Sequence, residues 1–293
     1  MDSTLANASK QATSERLGGA VGIAGFARLD HEPFPQFAAG SIWLVGAGPG
    51  APGLMSLLAY HGLQNCDTII YDALVNADLL RWARPGAQIE YAGKRGGKPS
   101  PRQRDISHRL IELARTGRRV LRLKGGDPLI FGRGGEEAAQ IAKAGIPFRI
   151  VPGISAGIGG LAYAGIPATH RDVNHSVIFL TGHDATGALP ANVDWPAVAT
   201  ASPVIVMYMA VKHLVEIASE LMAGGRSPED EVAIISNATL PHQELHQTRL
   251  GDISAFLASF SPPTPAIVVV GQTSERREAL DWYCKALREN RIG

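Results

Sequence analysis

Between residues 41 and 151, short apolar runs alternate with stretches of helical periodicity, and this alternation most constrains what the chain can fold into. Strand-like runs at 42–45, 68–71, 88–91, 119–123 and 148–151 enclose helix-like stretches at 54–63, 77–83, 102–115 and 136–143. Such alternation predicts a mainly parallel sheet covered by helices. Ligands of sheets built this way gather at the carboxyl ends of the strands. The glycine-rich exits of the first and fourth strands are therefore the places to look for chemistry.

A break follows at Pro152-Gly153, and residues 153–165 hold five glycines. The domain boundary is placed there, giving an N-terminal α/β domain over 40–152 and a C-terminal one over 153–293. The second half predicts strands at 176–180, 204–208, 231–236, 244–249 and 266–270. Its helices, at 211–221, 251–260 and 275–288, come at wider intervals. Some of its strands are joined by loops alone, so a mixed sheet with antiparallel pairs is expected. Residues 1–39 are small-residue and polar, then Gly/Ala-rich, and read as a poorly ordered extension. They lack the compact apolar block and cleavage site of a signal peptide.

With 293 residues, 45% of them apolar, the chain has enough material for two cores. No run approaches eighteen apolar residues, so no membrane-spanning helix is expected. Cys66 and Cys284 have neither metal nor redox spacing and read as reduced thiols of a cytoplasmic protein.

Charge is distributed unevenly. The whole chain sums to +1, yet residues 94–133 carry twelve Lys or Arg against Asp105, Glu112 and Asp127, an excess of nine. A local basic field attracts a polyanion, either nucleic acid or a small molecule bearing many carboxylates. Most of these arginines read as solvated helix-face charges. Arg122, Lys124 and Arg133 differ, because they sit among glycines at a strand exit, in the run from Arg122 to Glu137.

The segment from Ile42 to Gly53 leaves an apolar strand through glycines and could pass for a dinucleotide fingerprint, with Asp72 lying 24 positions after Gly48. Pro49 and Pro52 weaken that reading, since each removes an amide from a loop that should cradle pyrophosphate. A Walker loop fails too, because no Lys-Ser or Lys-Thr follows. His170, His175 and His183 lack ligand spacing and an accompanying carboxylate or thiolate cluster, so no metal is expected. No nucleophile elbow supports a Ser-His-Asp hydrolase.

The ordered set GAGPG at 46–50, YDALV at 71–75, GKRGGKPSPRQRDI at 93–106, RLKGGDPLIFGRGGEE at 122–137, VPGISAGIGGLAYAGIPATHR at 151–171 and YMA at 208–210 closely resembles the tetrapyrrole methylases. The resemblance runs from about residue 40 to 275. It implies two α/β domains with the active site in the cleft between them, a homodimer, and S-adenosylmethionine bound folded in that cleft. Within the family it points to members that methylate uroporphyrinogen III twice, giving precorrin-2 for sirohaem- or cobalamin-type biosynthesis, with S-adenosylhomocysteine as by-product. A later precorrin methyltransferase of the corrinoid pathway is the alternative. The eight carboxylates of uroporphyrinogen III would supply the polyanion that the basic stretch asks for.

The resemblance also implies residue roles. Asp72 matches the proposed proton acceptor and Lys94 the proposed donor, although Lys94 also reads as a purely electrostatic partner of substrate carboxylates. Arg133 matches a residue that holds or orients substrate, with Arg95, Arg122 and His170 as further substrate contacts. Pro49, Gly125, Gly126, Asp127, Ile130, Ser155, Ala156, Met209, Ala238, Pro265 and Ala266 match cofactor contacts. From the residues alone, Asp72 also reads as a strand-end cap, Asp127 as a turn residue before proline, and Met209 as core packing. One departure is Ala51, which stands where the family often has aspartate. Neither nucleic acid nor a membrane is expected as a partner.

Overall fold

The computed structural model describes residues 34–93, 103–172, 174–184, 186–271 and 280–289, and in it the first apolar run becomes a strand buried at every position, β1 (Ile42–Gly46). It is followed by α1 (Leu57–Asn65), β2 (Thr68–Tyr71), β3 (Gln88–Tyr91), α2 (Gln103–Arg115), β4 (Val120–Lys124), α3 (Gly134–Lys143) and β5 (Phe148–Val151). The five strands make one sheet in the order β3-β2-β4-β1-β5, and every pairing is parallel. The predicted parallel sheet is observed.

Strand alternation divides this sheet into two faces. Trp43, Val45, Leu121 and Leu123 pack beneath α1 with Ala59 and Leu63. Ile42, Leu44 and Val120 pack beneath α2 and α3 with Leu110, Ile111 and Ile141. Period-two alternation sends Arg122 and Lys124 to the α3 face with Val120.

The second sheet has the order β6-β7-β10-β8-β9. Its strands are β6 (Val177–Thr181), β7 (Val204–Tyr208), β8 (Glu231–Ser236), β9 (Glu244–Arg249) and β10 (Ala266–Val270). Only β6 and β7 run parallel; the remaining pairs are antiparallel, so this sheet is mixed as expected. One face is covered by α5 (Trp195–Ala201), α6 (Leu214–Ala223) and α7 (Ile253–Ser259), through Trp195, Leu214, Ile217, Leu221 and Ile253. The other is covered by α4 (Ala156–Tyr163), whose Leu161 meets Val206, Ile235 and Val269. A last helix, α8 (Trp282–Arg288), completes the described chain. All these elements belong to the unit Phe37–Gly293.

Several element predictions need correction. The helix expected over 54–63 begins at Leu57, because Pro52–Leu54 makes a single 3-10 turn and Ser56 caps the true start by accepting a bond from Ala59 N. The stretch 77–83 is a 3-10 helix, Ala77–Trp82, not an α-helix. Two helices, α4 and α5, were not anticipated. The glycines of α4 concealed it, and they are there for close packing. A Cβ at Gly157 would lie 2.3 Å from the Tyr208 hydroxyl, and one at Gly160 would lie 2.9 Å from the Ala238 methyl. The first part of the helix predicted over 275–288 lies outside the described residues.

At the base of the first sheet, Asp67 ties β2 to the turn before β4. Its carboxylate accepts from Arg119 N at 2.8 Å, Arg119 Nε at 3.0 Å and Arg119 Nη2 at 2.7 Å, and it also pairs with Arg84. These bonds, led by that of the Arg119 side chain, hold the Asp67 carboxyl down at about 2. A depressed carboxyl stabilises the fold above the unfolded-state value of about 4 and loses that contribution as pH falls toward the folded value. Asp67→Asn is therefore expected to lower stability by about 1–2 kcal/mol at neutral pH, allowing for solvent screening. Urea melts of both proteins should converge as pH drops from about 4 to about 2, and a gap independent of pH contradicts the assignment.

Candidate active site

Three strand exits of the first sheet converge, and two of them leave no room for a side chain. A Cβ at Gly46, the last residue of β1, would meet Gly126 O and Gly153 Cα, both at 2.6 Å. One at Gly153, after β5, would meet Gly126 O at 2.3 Å. Gly48 and Gly126 then exchange backbone hydrogen bonds of 3.2 and 2.7 Å. Glycine is needed here because backbone packs directly on backbone. The Asp127 carboxylate locks the junction by accepting from Gly153 N at 3.0 Å and Leu129 N at 2.8 Å.

The loop leaving β1 reaches the second sheet. Ala51 N donates to Thr239 Oγ1 at 2.9 Å, and Thr239 N donates to Gln243 Oε1 at 2.7 Å. Asn76 Nδ2 donates to Gly50 O at 2.9 Å from the other side. Ala51, the family departure, thus uses its backbone amide in a cross-sheet contact. Above this bridge lies a cavity of about 420 Å³, walled by the carboxyl ends of the first sheet and by β7, β8 and β10 of the second. That volume lies within the ordinary range for a small-molecule site.

The two walls differ in chemistry. On the first-sheet side stand Asp72, Arg122, Lys124 and Arg133, together with the half-buried backbone of Gly125 and Gly126. On the second-sheet side stand Tyr208, Met209, Ile235, Ala238, Pro265 and Ile267, a mostly apolar surface suited to a flat ring. Tyr208 Oη lies 2.8 Å from Ser155 Oγ and accepts from Gly157 N at 2.9 Å, so it pins the start of α4 to β7. Burial raises the Tyr208 phenol above its ordinary value, and the Ser155 bond offsets part of that rise.

Backbone strain gathers at this cavity. Five non-glycine residues among those described have positive φ. Three of them, Phe131 (50°), Arg133 (59°) and Met209 (54°), line the wall, and Asn237 and Thr239 flank Ala238. Such conformations persist where the surrounding structure over-determines them, and ligand clamps are a recurrent setting. Met209 is 43% exposed, so it is not simple core packing.

Charge is arranged in layers behind the polar wall. Glu137, wholly buried on α3, accepts from Arg122 Nε at 3.1 Å and from Lys124 Nζ at 3.2 Å. Arg122 Nη2 lies 3.6 Å from Asp72 Oδ2, while Asp72 Oδ1 accepts from Leu74 N at 3.1 Å. Burial, then the neighbouring Arg122, pushes the Lys124 ammonium below its ordinary value. Arg133 is more open and makes a two-pronged contact with Glu136, at 3.0 and 2.8 Å.

Of the residues singled out from sequence, Pro49, Asp72, Arg122, Gly125, Gly126, Ile130, Arg133, Ser155, Ala156, Met209, Ala238, Pro265 and Ala266 all line this one cavity. Two do not. Asp127 is not among the lining residues; its carboxylate accepts from the amides of Leu129 and Gly153. His170 pairs backbone-to-backbone with Asn174, and its Nδ1 accepts from Asp172 N at 3.2 Å; it is absent from the cavity wall. Lys94 and Arg95 lie outside the described residues. Lys124, Phe131 and Tyr208 were not assigned to the site from sequence, although Lys124 stood in the cationic run and Tyr208 in the YMA motif. Among the described residues no group of three His, Cys, Asp or Glu is placed to hold a metal ion.

Comparison with known proteins gives this geometry a context. Residues 41–254 match the family model of the Tetrapyrrole (Corrin/Porphyrin) Methylases. A uroporphyrinogen-III C-methyltransferase from Sinorhizobium sp. is 60% identical over 248 residues, 85% of this chain and 89% of the relative. A siroheme synthase from Neisseria meningitidis is 42% identical over 87% of this chain, which spans only 52% of that relative. Among solved structures, a uroporphyrin-III C-methyl transferase from Thermus thermophilus superposes with a TM-score of 0.69 at 35% identity. That alignment covers 79% of this chain and 97% of the Thermus protein, one of whose structures is a complex with S-adenyl homocysteine. By its sequence, its paired sheets and the cavity between them, the chain belongs to the tetrapyrrole methylases.

Proposed function

We propose that this chain transfers two methyl groups in turn from S-adenosylmethionine to ring carbons of uroporphyrinogen III, yielding precorrin-2 and S-adenosylhomocysteine. The observation that carries the reading is the 60% identity to a uroporphyrinogen-III C-methyltransferase, extending through nearly the whole of that relative. The proposal is limited to methyl transfer, because the chain spans about half the length of the siroheme synthases it matches.

S-adenosylmethionine supplies an electrophilic methyl on a sulfonium, and the cavity fits such a molecule on two counts. The apolar wall formed by Ala238, Pro265 and Ile267, with Met209 beside it, suits an adenosine. The strand exit at Gly125 and Gly126, which lines the cavity without side chains, leaves room for an amino-acid end. Methyl transfer needs an in-line carbon nucleophile and then the loss of a proton from the macrocycle, so orientation and a nearby base are what the protein contributes. Asp72, at the exit of β2 and 26% exposed, is the proposed proton acceptor. Arg133, on the open side of the cavity, is proposed to hold a substrate carboxylate by exchanging its contact with Glu136 for a fork on the ligand. Lys94, in the basic segment, is the proposed proton donor, and Arg95 a further substrate contact.

The working enzyme is proposed to be a cytoplasmic homodimer. Ile154, just before α4, and Ile158, within it, are 38% and 50% exposed and offer apolar surface to a second copy. Cys66 and Cys284, both buried and neither in a disulfide, fit a reducing compartment.

Anaerobic incubation with S-adenosylmethionine and uroporphyrinogen III should give a product carrying two added methyl carbons by mass spectrometry. No transfer, or transfer only onto an already methylated precorrin, would overturn the reading. Asp72→Asn should slow turnover by about 10²-fold, while calorimetry finds S-adenosylhomocysteine affinity near the wild-type value. For Arg133→Ala the expected change lies in KM for the macrocycle, about tenfold higher, the equivalent of one lost charged contact. An unchanged KM would remove Arg133 from the substrate site.

A further inference from the structure

The stripe that α3 turns toward the first sheet is Gly134, Glu137, Ala138 and Ile141, all buried. This spacing belongs to an apolar helix face, and a carboxylate in it calls for a physical reason. Glu137 lies directly behind the polar wall of the cavity, where one of its oxygens, Oε1, receives both Arg122 Nε and Lys124 Nζ.

Arg122 is thereby turned inward. Its Nε is committed to Glu137, and its Nη1 donates to the carbonyls of Ile70 and Leu123, each at 3.3 Å. Only Nη2 faces Asp72, and at 3.6 Å it supplies charge without a short hydrogen bond. Asp72 Oδ1 is occupied by Leu74 N, so Oδ2 is the oxygen turned to the cavity charge. The four groups balance, with Arg122 and Lys124 against Glu137 and Asp72. Among the described residues, the other charges near them are Arg133, the N-cap of α3, and Glu136 on α3, which pair with each other, and α2 contributes the apolar Ile106 and Leu110.

We propose that Glu137 is a positioning residue of the methyl-transfer site: it holds Arg122 and Lys124 back from Asp72, so that Asp72 keeps an oxygen available for the leaving proton. This rests on the proposed role of Asp72 as proton acceptor. Without the Glu137 charge, two buried cations would face one carboxylate. Arg122 would close on Asp72 and make it a weaker base.

The test is the pH dependence of methyl transfer in four proteins. Glu137→Gln keeps the shape and removes the charge. It should slow turnover and move the acid limb of the profile to lower pH by about one unit, because an excess cation favours the Asp72 carboxylate. Arg122→Lys withdraws the Nη2 cation from Asp72 and should move the limb the opposite way. A merely structural role for Glu137 produces no such opposed pair of shifts. An acid limb that stays at the wild-type position in both variants overturns the proposal. Should Glu137→Gln fail to fold, Glu137→Asp, which keeps the charge but shortens its reach to Arg122 and Lys124, takes its place and should move the limb in the same direction as Glu137→Gln; an unmoved limb there overturns the proposal. Asp72→Asn separates the two levels: wild-type turnover there removes the underlying reading of Asp72, whereas loss of turnover with unmoved limbs in the other variants refutes Glu137 alone.

Discussion

Three glycine exits, at Gly46, Gly126 and Gly153, meet with backbone against backbone, and the rest of the site depends on that contact. Any Cβ at Gly46 or Gly153 would fall within 2.6 Å of a neighbouring main-chain atom. The ends of β1, β4 and β5 are held in one tight junction, which Asp127 secures through the Gly153 and Leu129 amides. From this junction the β1 loop is launched toward Thr239, and the chain after β5 is launched into α4. A rigid junction of this kind is how a scaffold keeps binding groups in register.

Two chemically unlike walls then face one another. The first sheet is parallel and contributes charged side chains at its carboxyl edge. The second is mixed and contributes an apolar surface from β7, β8 and β10. A donor with a flat heterocycle and a charged tail, and an acceptor rich in carboxylates, need these two surfaces close together. Within the polar wall, charge is balanced by layers, with Glu137 buried behind Arg122 and Lys124 and Asp72 in front.

Much of this was legible in the amino-acid order, for physical reasons that differ from part to part. The strands of both sheets were readable because buried runs such as Val204–Tyr208 and Ala266–Val270 are long, β-branched and bounded by turns. Helix α4 was hidden because its glycines serve close approach to Tyr208 and Ala238, a reason that exists only in three dimensions. Thirteen residues singled out from sequence line one cavity, and ten of them were found through the ordered family motifs; Ala238, Pro265 and Ala266 lie beyond those motifs. Asp127 and His170 share those motifs, yet they make local backbone bonds that spacing does not reveal. Lys124 and Glu137 stood in the same run as Arg122. Their pairing requires knowing that β4 turns both cations toward the face that α3 covers.

The central claim is that methyl donor and acceptor meet in the cavity between the two sheets. A crystal structure of the protein with S-adenosylhomocysteine tests it most directly. The account predicts the adenosine against Met209, Ala238 and Pro265, the amino-acid end over Gly125 and Gly126, and the sulfur turned toward the side of the cavity that holds Asp72. Binding elsewhere, or in the cavity with the sulfur turned away from Asp72, would contradict it.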